Sequence, residues 1–191
     1  MLGHGLPDGG ATSTSGIKES DINLEVAKLL EEELVKLGYE VIMTRRDENN
    51  IADSDKQSTI RKMKVSDINN RIEIVNNSNA DMLISIHMNK FSEEKYYGWQ
   101  TFYKKDSELS KVLANKIQKE ISNNIDRENK RMELPIDNVK LVDKSEIPAV
   151  IVECGFLSNH EDIRLLQTKE YKMQIVNGII GGIEEFYNIN K

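Results

Sequence analysis

The chain has 191 residues, enough for one domain with a sizeable buried core. Apolar residues make up 38% and charged residues 30%, and 32 acidic against 26 basic side chains leave a net charge of −6, the wrong sign for a nucleic-acid binder. Its longest apolar runs, such as "PAVIV" and "GIIGGI", fall short of the ~18 residues of a membrane span, and a single cysteine, Cys154, excludes an internal disulfide.

In chain order, the leader "MLGHGLPDGGATSTSGIK" is rich in glycine and carries His4, one of three histidines. No signal peptide is visible, and no strand precedes the histidine loop, so the amino-terminal strand of the domain is expected to be truncated. From Ser20 onward, Ile22, Val26, Leu29, Leu30, Leu34 and Leu37 recur at helical spacing, with Ser20 and Asp21 suited to the N-cap and Gly38 to the C-cap. "YEVIMTR" reads as a short strand and residues 47–64 as a mobile polar loop. A second helix fits "VSDINNRIEIVNNSN", where Ser66 can cap and Ile68, Ile72 and Val75 share a face. "DMLISIH" follows as a buried strand that ends on His87.

The alternation continues with a strand at "GWQTFYK", an amphipathic helix at "DSELSKVLANKIQKEISNNI" and a strand at "PAVIVECGF". Two helices close the chain, one around "HEDIRLLQ" and one from Tyr171 to Tyr187. No repeat and no linker interrupts this order, so residues 1–191 are taken as one domain. Helices alternating with apolar strands predict an α/β fold: a central, mostly parallel twisted sheet of about six strands with helices on both faces.

Ligands of open α/β sheets bind outside the carboxyl ends of the strands. His87 and Glu153 stand at such ends, while His4 and Glu19 flank a glycine-rich loop of the kind that joins a strand to its helix. Two histidines and a carboxylate form a catalytic zinc set with one position left for water, and a nearby carboxylate can take that water's proton. Plainer readings exist: His4 as a surface residue beside a turn, and Glu19 as a helix N-terminal acid favoured by the dipole. Glu153 resists such a reading, because a carboxylate after five buried apolar residues must be satisfied by something. Asn89 either orients the loop after His87 or touches substrate. Ser158 and Asn159 read as helix caps, His160 as a surface residue, Cys154 as a small buried hydrophobe, and Arg71 as one side of a salt bridge.

The segments "GHGLPDGGA" with "GIKE", "SIHMN" and "VECGFLSN" resemble the three signatures of the zinc-dependent N-acetylmuramoyl-L-alanine amidases of the amidase-3 group. "ESDINLEVAKLLEEEL", "GYEVIMTR", "NNRIEIVNNSNADMLISIH" and "GWQTFY" follow in the family's order, and the leader is most similar to the spore-cortex, CwlD-type branch that helps make muramic δ-lactam. The resemblance implies Zn2+ on His4, Glu19 and His87, with Glu153 as the catalytic acid and base. The implied reaction is hydrolysis of the amide between N-acetylmuramic acid and L-alanine. The implied partners are peptidoglycan glycan strands and stem peptides, in the cell wall or the spore intermembrane space. Some relatives depend on a partner protein, which leaves room for a protein activator.

The sequence departs from the family in two places. The first strand is reduced to "MLG", and "DRENKRMELPIDNVKLVD" stands where the family often has an "NRG" stretch. No inserted autoinhibitory helix follows "TFYKKDSELS", which implies an open site. Two rivals remain at this level: a wall-binding or partner-dependent module, and a zinc peptidase cutting another stem-peptide bond. The order of motifs favours the amidase over the peptidase.

Overall fold

In a computed structural model, which describes residues 3–56 and 58–189, the apolar patterns become six helices and four strands. Met1 and Leu2, on which the expectation of a truncated first strand bears, lie outside the described residues. Helix α1 spans Glu19–Lys36 and buries Ile22, Val26, Ala27, Leu30 and Leu34. Its N-cap is Lys18, which makes no side-chain capping bond, so Ser20 and Asp21 lie inside the first turn and do not cap it. Helix α2, Ile60–Asn77, starts earlier than its apolar pattern, because the Thr59 hydroxyl accepts the Lys62 amide at 3.2 Å. Ser66 is buried within that helix and donates to Asp53 at 2.9 Å. With the Ile51 amide on Asp67 at 2.9 Å, this bond ties the preceding polar segment to α2.

Strands β1 (Leu83–Asn89) and β2 (Gln100–Lys104) are followed by helix α3 (Glu108–Asn124), strand β3 (Leu134–Ile136) and helix α4 (Lys140–Lys144). Strand β4 (Ala149–Phe156) and helices α5 (His160–Leu166) and α6 (Lys169–Ile189) complete the chain. The sheet order is β1-β4-β2-β3; β1 with β4 and β2 with β3 are parallel, and β2 with β4 is antiparallel. The class is as expected, but the sheet has four strands among the described residues instead of about six. "YEVIMTR" is not one of them. Tyr39, Val41 and Met43 pack against the core, yet their backbone joins no ladder. A cavity of about 520 Å³ is lined by this segment on one side and by Met82, Ile84 and Ile86 on the other. Alternating apolar residues make a strand only when a neighbour is close enough to bond.

Alternation along the strands sorts two cores. Ile84, Ile86, Val150, Val152 and Cys154 face the larger one, with Val26 and Leu30 of α1, Ile117 and Ile121 of α3, and Ile175 and Ile179 of α6. Leu83, Ala149 and Ile151 face the smaller one, with Val75 of α2 and Val142 of α4. Ile86, Val150 and Val152 are fully buried, each worth ~1.5–3 kcal/mol relative to exposure. No helix among the described residues is long and apolar enough to cross a membrane.

The register has a direct consequence for chemistry. His87 pairs with Glu153 across β1 and β4, and Gln100 pairs with Glu153 across β2 and β4. Residues opposite each other leave the same face of a sheet, so the three side chains form one row. By the same alternation, that row shares its face with Leu83, Ala149 and Ile151.

Candidate metal centre

The loop before α1 brings His4 to this row. His4 itself adopts a left-handed backbone, with φ of +54°, which an L residue holds only when its surroundings over-determine it. Two buried arginines supply part of that constraint. Arg71 Nη2 donates to the His4 carbonyl at 3.1 Å, and Arg45 Nη2 donates to the carbonyls of Gly3 and Ser20 at 3.3 and 2.8 Å. Arg71 is in turn fixed by Asp67, at 2.7 Å from Nε and 3.0 Å from Nη2, and by the Thr44 hydroxyl at 2.9 Å.

Two glycines are required by close approach. A Cβ on Gly3 would lie 2.2 Å from His87 Cε1, and one on Gly10, at φ +68°, would lie 2.6 Å from both Glu19 Oε2 and His4 Cδ2.

The three predicted ligands meet. His4 Nε2 is 3.3 Å from Glu19 Oε2, and His87 Nδ1 is 2.8 Å from Glu19 Oε1. Their donor atoms all lie within 4.8 Å of one another, a group able to hold a metal ion. Two imidazoles and a carboxylate suit a borderline ion such as zinc. The outward ring nitrogens are also occupied, as metal-binding histidines require. His4 Nδ1 faces Asp8 Oδ2 at 3.0 Å, and His87 Nε2 faces the Ser85 hydroxyl at 3.1 Å. Asp8 was not legible as part of the site. Its only signal is a position four residues after His4, and Lys64 Nζ also pairs with it at 3.0 Å.

Electrostatics follow the geometry. Burial works to raise the Glu19 pKa, but the hydrogen bond to His87, the charges of His87 and His4 and the Ala11 amide outweigh it and hold the carboxyl at about 2. Glu19 is only 3% exposed, and the Ala11 and Met88 amides reach it at 2.9 and 3.3 Å. As the first residue of α1, it also sits at the positive end of that helix. For His4, burial pulls the pKa down, yet the Asp8 hydrogen bond and the charges of Glu19 and Asp8 prevail and raise it.

Glu153 is the opposite case. Its Oε2 is buried and has no hydrogen-bond partner among the described residues. Burial, then the charge of Glu19, pushes its carboxyl up to about 8. An unsatisfied buried carboxyl oxygen is costly in any fold, so one in register beside three side chains able to hold a metal ion is a candidate for chemistry. The adjacent Cys154 lies on the other face, fully buried, its thiol held protonated by burial and then by Glu153 and Glu19.

The remaining candidates take local places. Asn89 Oδ1 accepts the Lys90 amide at 2.8 Å, and its carbonyl accepts the Leu157 amide at 2.8 Å. Asn159 caps α5 by accepting the Glu161 and Asp162 amides, whereas Ser158 Oγ accepts the Phe91 amide at 3.2 Å and caps nothing. His160 is exposed beside Glu94. Arg71 proves to be a buried clamp, 2% exposed, on the His4 loop. A further buried acid, Asp162, escaped the sequence reading; it accepts the Phe156 and Gly98 amides at 2.8 and 2.9 Å and pairs with Arg127.

Comparison with known proteins gives concordant results. The family described as N-acetylmuramoyl-L-alanine amidase matches residues 1–185. The germination-specific N-acetylmuramoyl-L-alanine amidase of Bacillus subtilis is 32% identical over 97% of this chain and 77% of its own length. The fold is similar to that of the CwlD amidase of Clostridioides difficile, solved in complex with the GerS lipoprotein. That likeness has a TM-score of 0.95 and 39% identity, and covers 98% of this chain and 97% of that one. The catalytic domain of CwlV, the N-acetylmuramoyl-L-alanine amidase of Bacillus (Paenibacillus) polymyxa, has a TM-score of 0.82 at 25% identity, over 98% and 97% of the two chains.

Proposed function

The chain belongs to the N-acetylmuramoyl-L-alanine amidase family and is such an amidase of peptidoglycan, and from that premise we propose how its residues divide the work. His4, Glu19 and His87 hold a zinc ion, and Glu153 is the catalytic acid and base. The observation that carries this reading is the cluster of three donors within 4.8 Å, with the unpartnered Glu153 carboxyl in register beside His87. Bound there, zinc supplies Lewis acidity, which acidifies water and polarises a carbonyl oxygen.

The chain's own groups do the rest. Asp8 and Ser85 orient the two imidazoles toward Glu19. The Glu153 carboxylate takes a proton from the attacking water and returns it to the departing nitrogen of L-alanine. In the metal-free protein, burial and then the charge of Glu19 favour the protonated carboxyl, the form that can donate a proton to a poor leaving amine in the second step. A divalent cation held by His4, Glu19 and His87 would favour the ionised carboxyl that the first step needs. The test is digestion of purified peptidoglycan with the zinc-loaded protein. Mass spectrometry is expected to find free stem peptides beginning with L-alanine; cleavage only within the stem peptide would overturn the assignment in favour of a peptidase.

The substrate is proposed to be spore-cortex peptidoglycan outside the cytoplasm, with removal of stem peptides preparing muramic δ-lactam. The germination-specific relative and the CwlD structure support that branch of the family. A lipoprotein partner is proposed on the same ground, since CwlD was solved with GerS. Cortex from cells lacking the gene is expected to contain no muramic δ-lactam, and unchanged cortex would assign the enzyme to another wall.

A further inference from the structure

Three cations lie on the segment between α3 and β3: Arg127, Lys130 and Arg131. Arg127 pairs with Asp162 at 2.5 Å, and Lys130 pairs with Glu128 at 3.1 Å. Among the described residues Arg131 has no ion pair, although it is held as firmly as either. Its Nε donates to the Tyr97 carbonyl at 2.9 Å and its Nη1 to Gln100 Oε1 at 2.9 Å. The guanidinium lies 4.4 Å from the ring centroid of Phe156. Gln100, 5% exposed, is fixed in turn by donating to the Met132 carbonyl at 2.9 Å, and it stands opposite Glu153 in the β2–β4 register. The side-chain row therefore runs His87, Glu153, Gln100 and, at its end, a part-exposed cation whose Nη2 has no protein partner among the described residues.

We propose that Arg131 binds a carboxylate of the stem peptide, on the residue after L-alanine, and so selects substrates that carry a free acid there. The proposal rests on the amidase reading. The distances agree in scale: neighbouring strands are ~4.8 Å apart, and the next stem-peptide Cα lies ~3.8 Å beyond that of L-alanine. A guanidinium fork already turned by two hydrogen bonds loses little entropy on taking a planar carboxylate, which is the geometry arginine recognises best. A lysine-like point charge would not need the Phe156 ring, the Tyr97 carbonyl and the Gln100 amide to aim it.

The experiment compares two muropeptides that differ only in a free α-carboxylate or an α-amide on the second stem residue. The zinc-loaded wild type is expected to favour the acid by about ten-fold or more in kcat/KM, mostly through KM. Arg131→Gln should erase that preference, so that acid and amide are cleaved with the same kcat/KM, and Arg131→Lys should keep part of it. Equal cleavage of both substrates by the wild type, or a preference that survives Arg131→Gln, overturns the proposal. A merely structural arginine would slow both substrates alike.

Binding of the same pair to Glu153→Gln protein, read as Kd by calorimetry, separates this proposal from the amidase reading. Discrimination in binding without any cleavage by the wild type would sink the reaction and keep the carboxylate site, and no discrimination would sink the site. Should Arg131→Gln fail to fold, the wild-type ratio and the Arg131→Lys variant decide.

Discussion

The two halves of the site are built by different means. His87 and Glu153 stand on paired strands, where backbone ladders set their spacing and a register error would turn both side chains to the other face. His4 stands on a glycine-rich loop whose described links to the sheet are few, among them the Gly3 amide on the Ile86 carbonyl at 3.3 Å. What holds that loop is a set of charged side chains: Arg71 and Arg45 on its carbonyls, and Asp8 on the imidazole itself. The side chains of His87 and Glu153 are therefore held as rigidly as the sheet, while His4 is only as rigid as its clamps. Damage to Glu153 and damage to the clamps on the His4 loop should separate into loss of turnover and loss of metal.

The largest effect is expected from Glu153→Gln. Without its acid and base the enzyme should lose on the order of 10²–10⁴ in turnover, measured by release of stem peptides, with zinc content unchanged. Loss of zinc in that variant would erase the division between the halves. Next comes Arg71→Met, which leaves Asp67, 8% exposed, without its buried cation. Breaking such a pair costs about 3–5 kcal/mol, so the urea midpoint should fall and zinc should bind more weakly, because the His4 carbonyl loses a donor.

Asp8→Asn sharpens the comparison, since it touches the imidazole and little of the fold. Zinc affinity is expected to drop about 10–100-fold with nearly unchanged thermal stability; a large drop in Tm instead would make Asp8 a folding residue.

The last effect is confined to the metal-free protein and concerns pH. The folded protein keeps the Glu153 proton up to about 8, whereas its ordinary value is 4.5. Between those values the native state binds more protons than the unfolded one, so stability falls as pH rises through that window. Glu153→Gln is expected to remove that fall, and a parallel pH dependence of the two proteins in chemical denaturation would contradict it.

Periodicity made most of the helices and strands readable, because burial on one face repeats every 3.6 or 2 residues and leaves its mark in the chain. It misled where the period lacked a neighbour, as at Tyr39, Val41 and Met43, and it was silent on β3, which is three residues long and mostly exposed. The candidate site was legible in its proposed ligands, with Glu19 named chiefly by the family resemblance, and less so in their supports. Histidine and glutamate at strand ends and around a glycine loop carry chemistry in their residue types. Asp8, Arg45 and Asp162 look like ordinary surface charges until their partners are known.

The sequence by itself determined the α/β class and the span of most elements, since these rest on local pattern, and it offered His4, Glu19, His87 and Glu153 as candidates, Glu19 chiefly through the family resemblance. Only the tertiary structure decided the sheet order, the clamping of the His4 loop and the orphaned Glu153 oxygen. The physical reason is separation along the chain. Glu19 and His87 are 68 residues apart in sequence and 2.8 Å apart in space, and such a contact exists only once a sheet and its helices have packed around it.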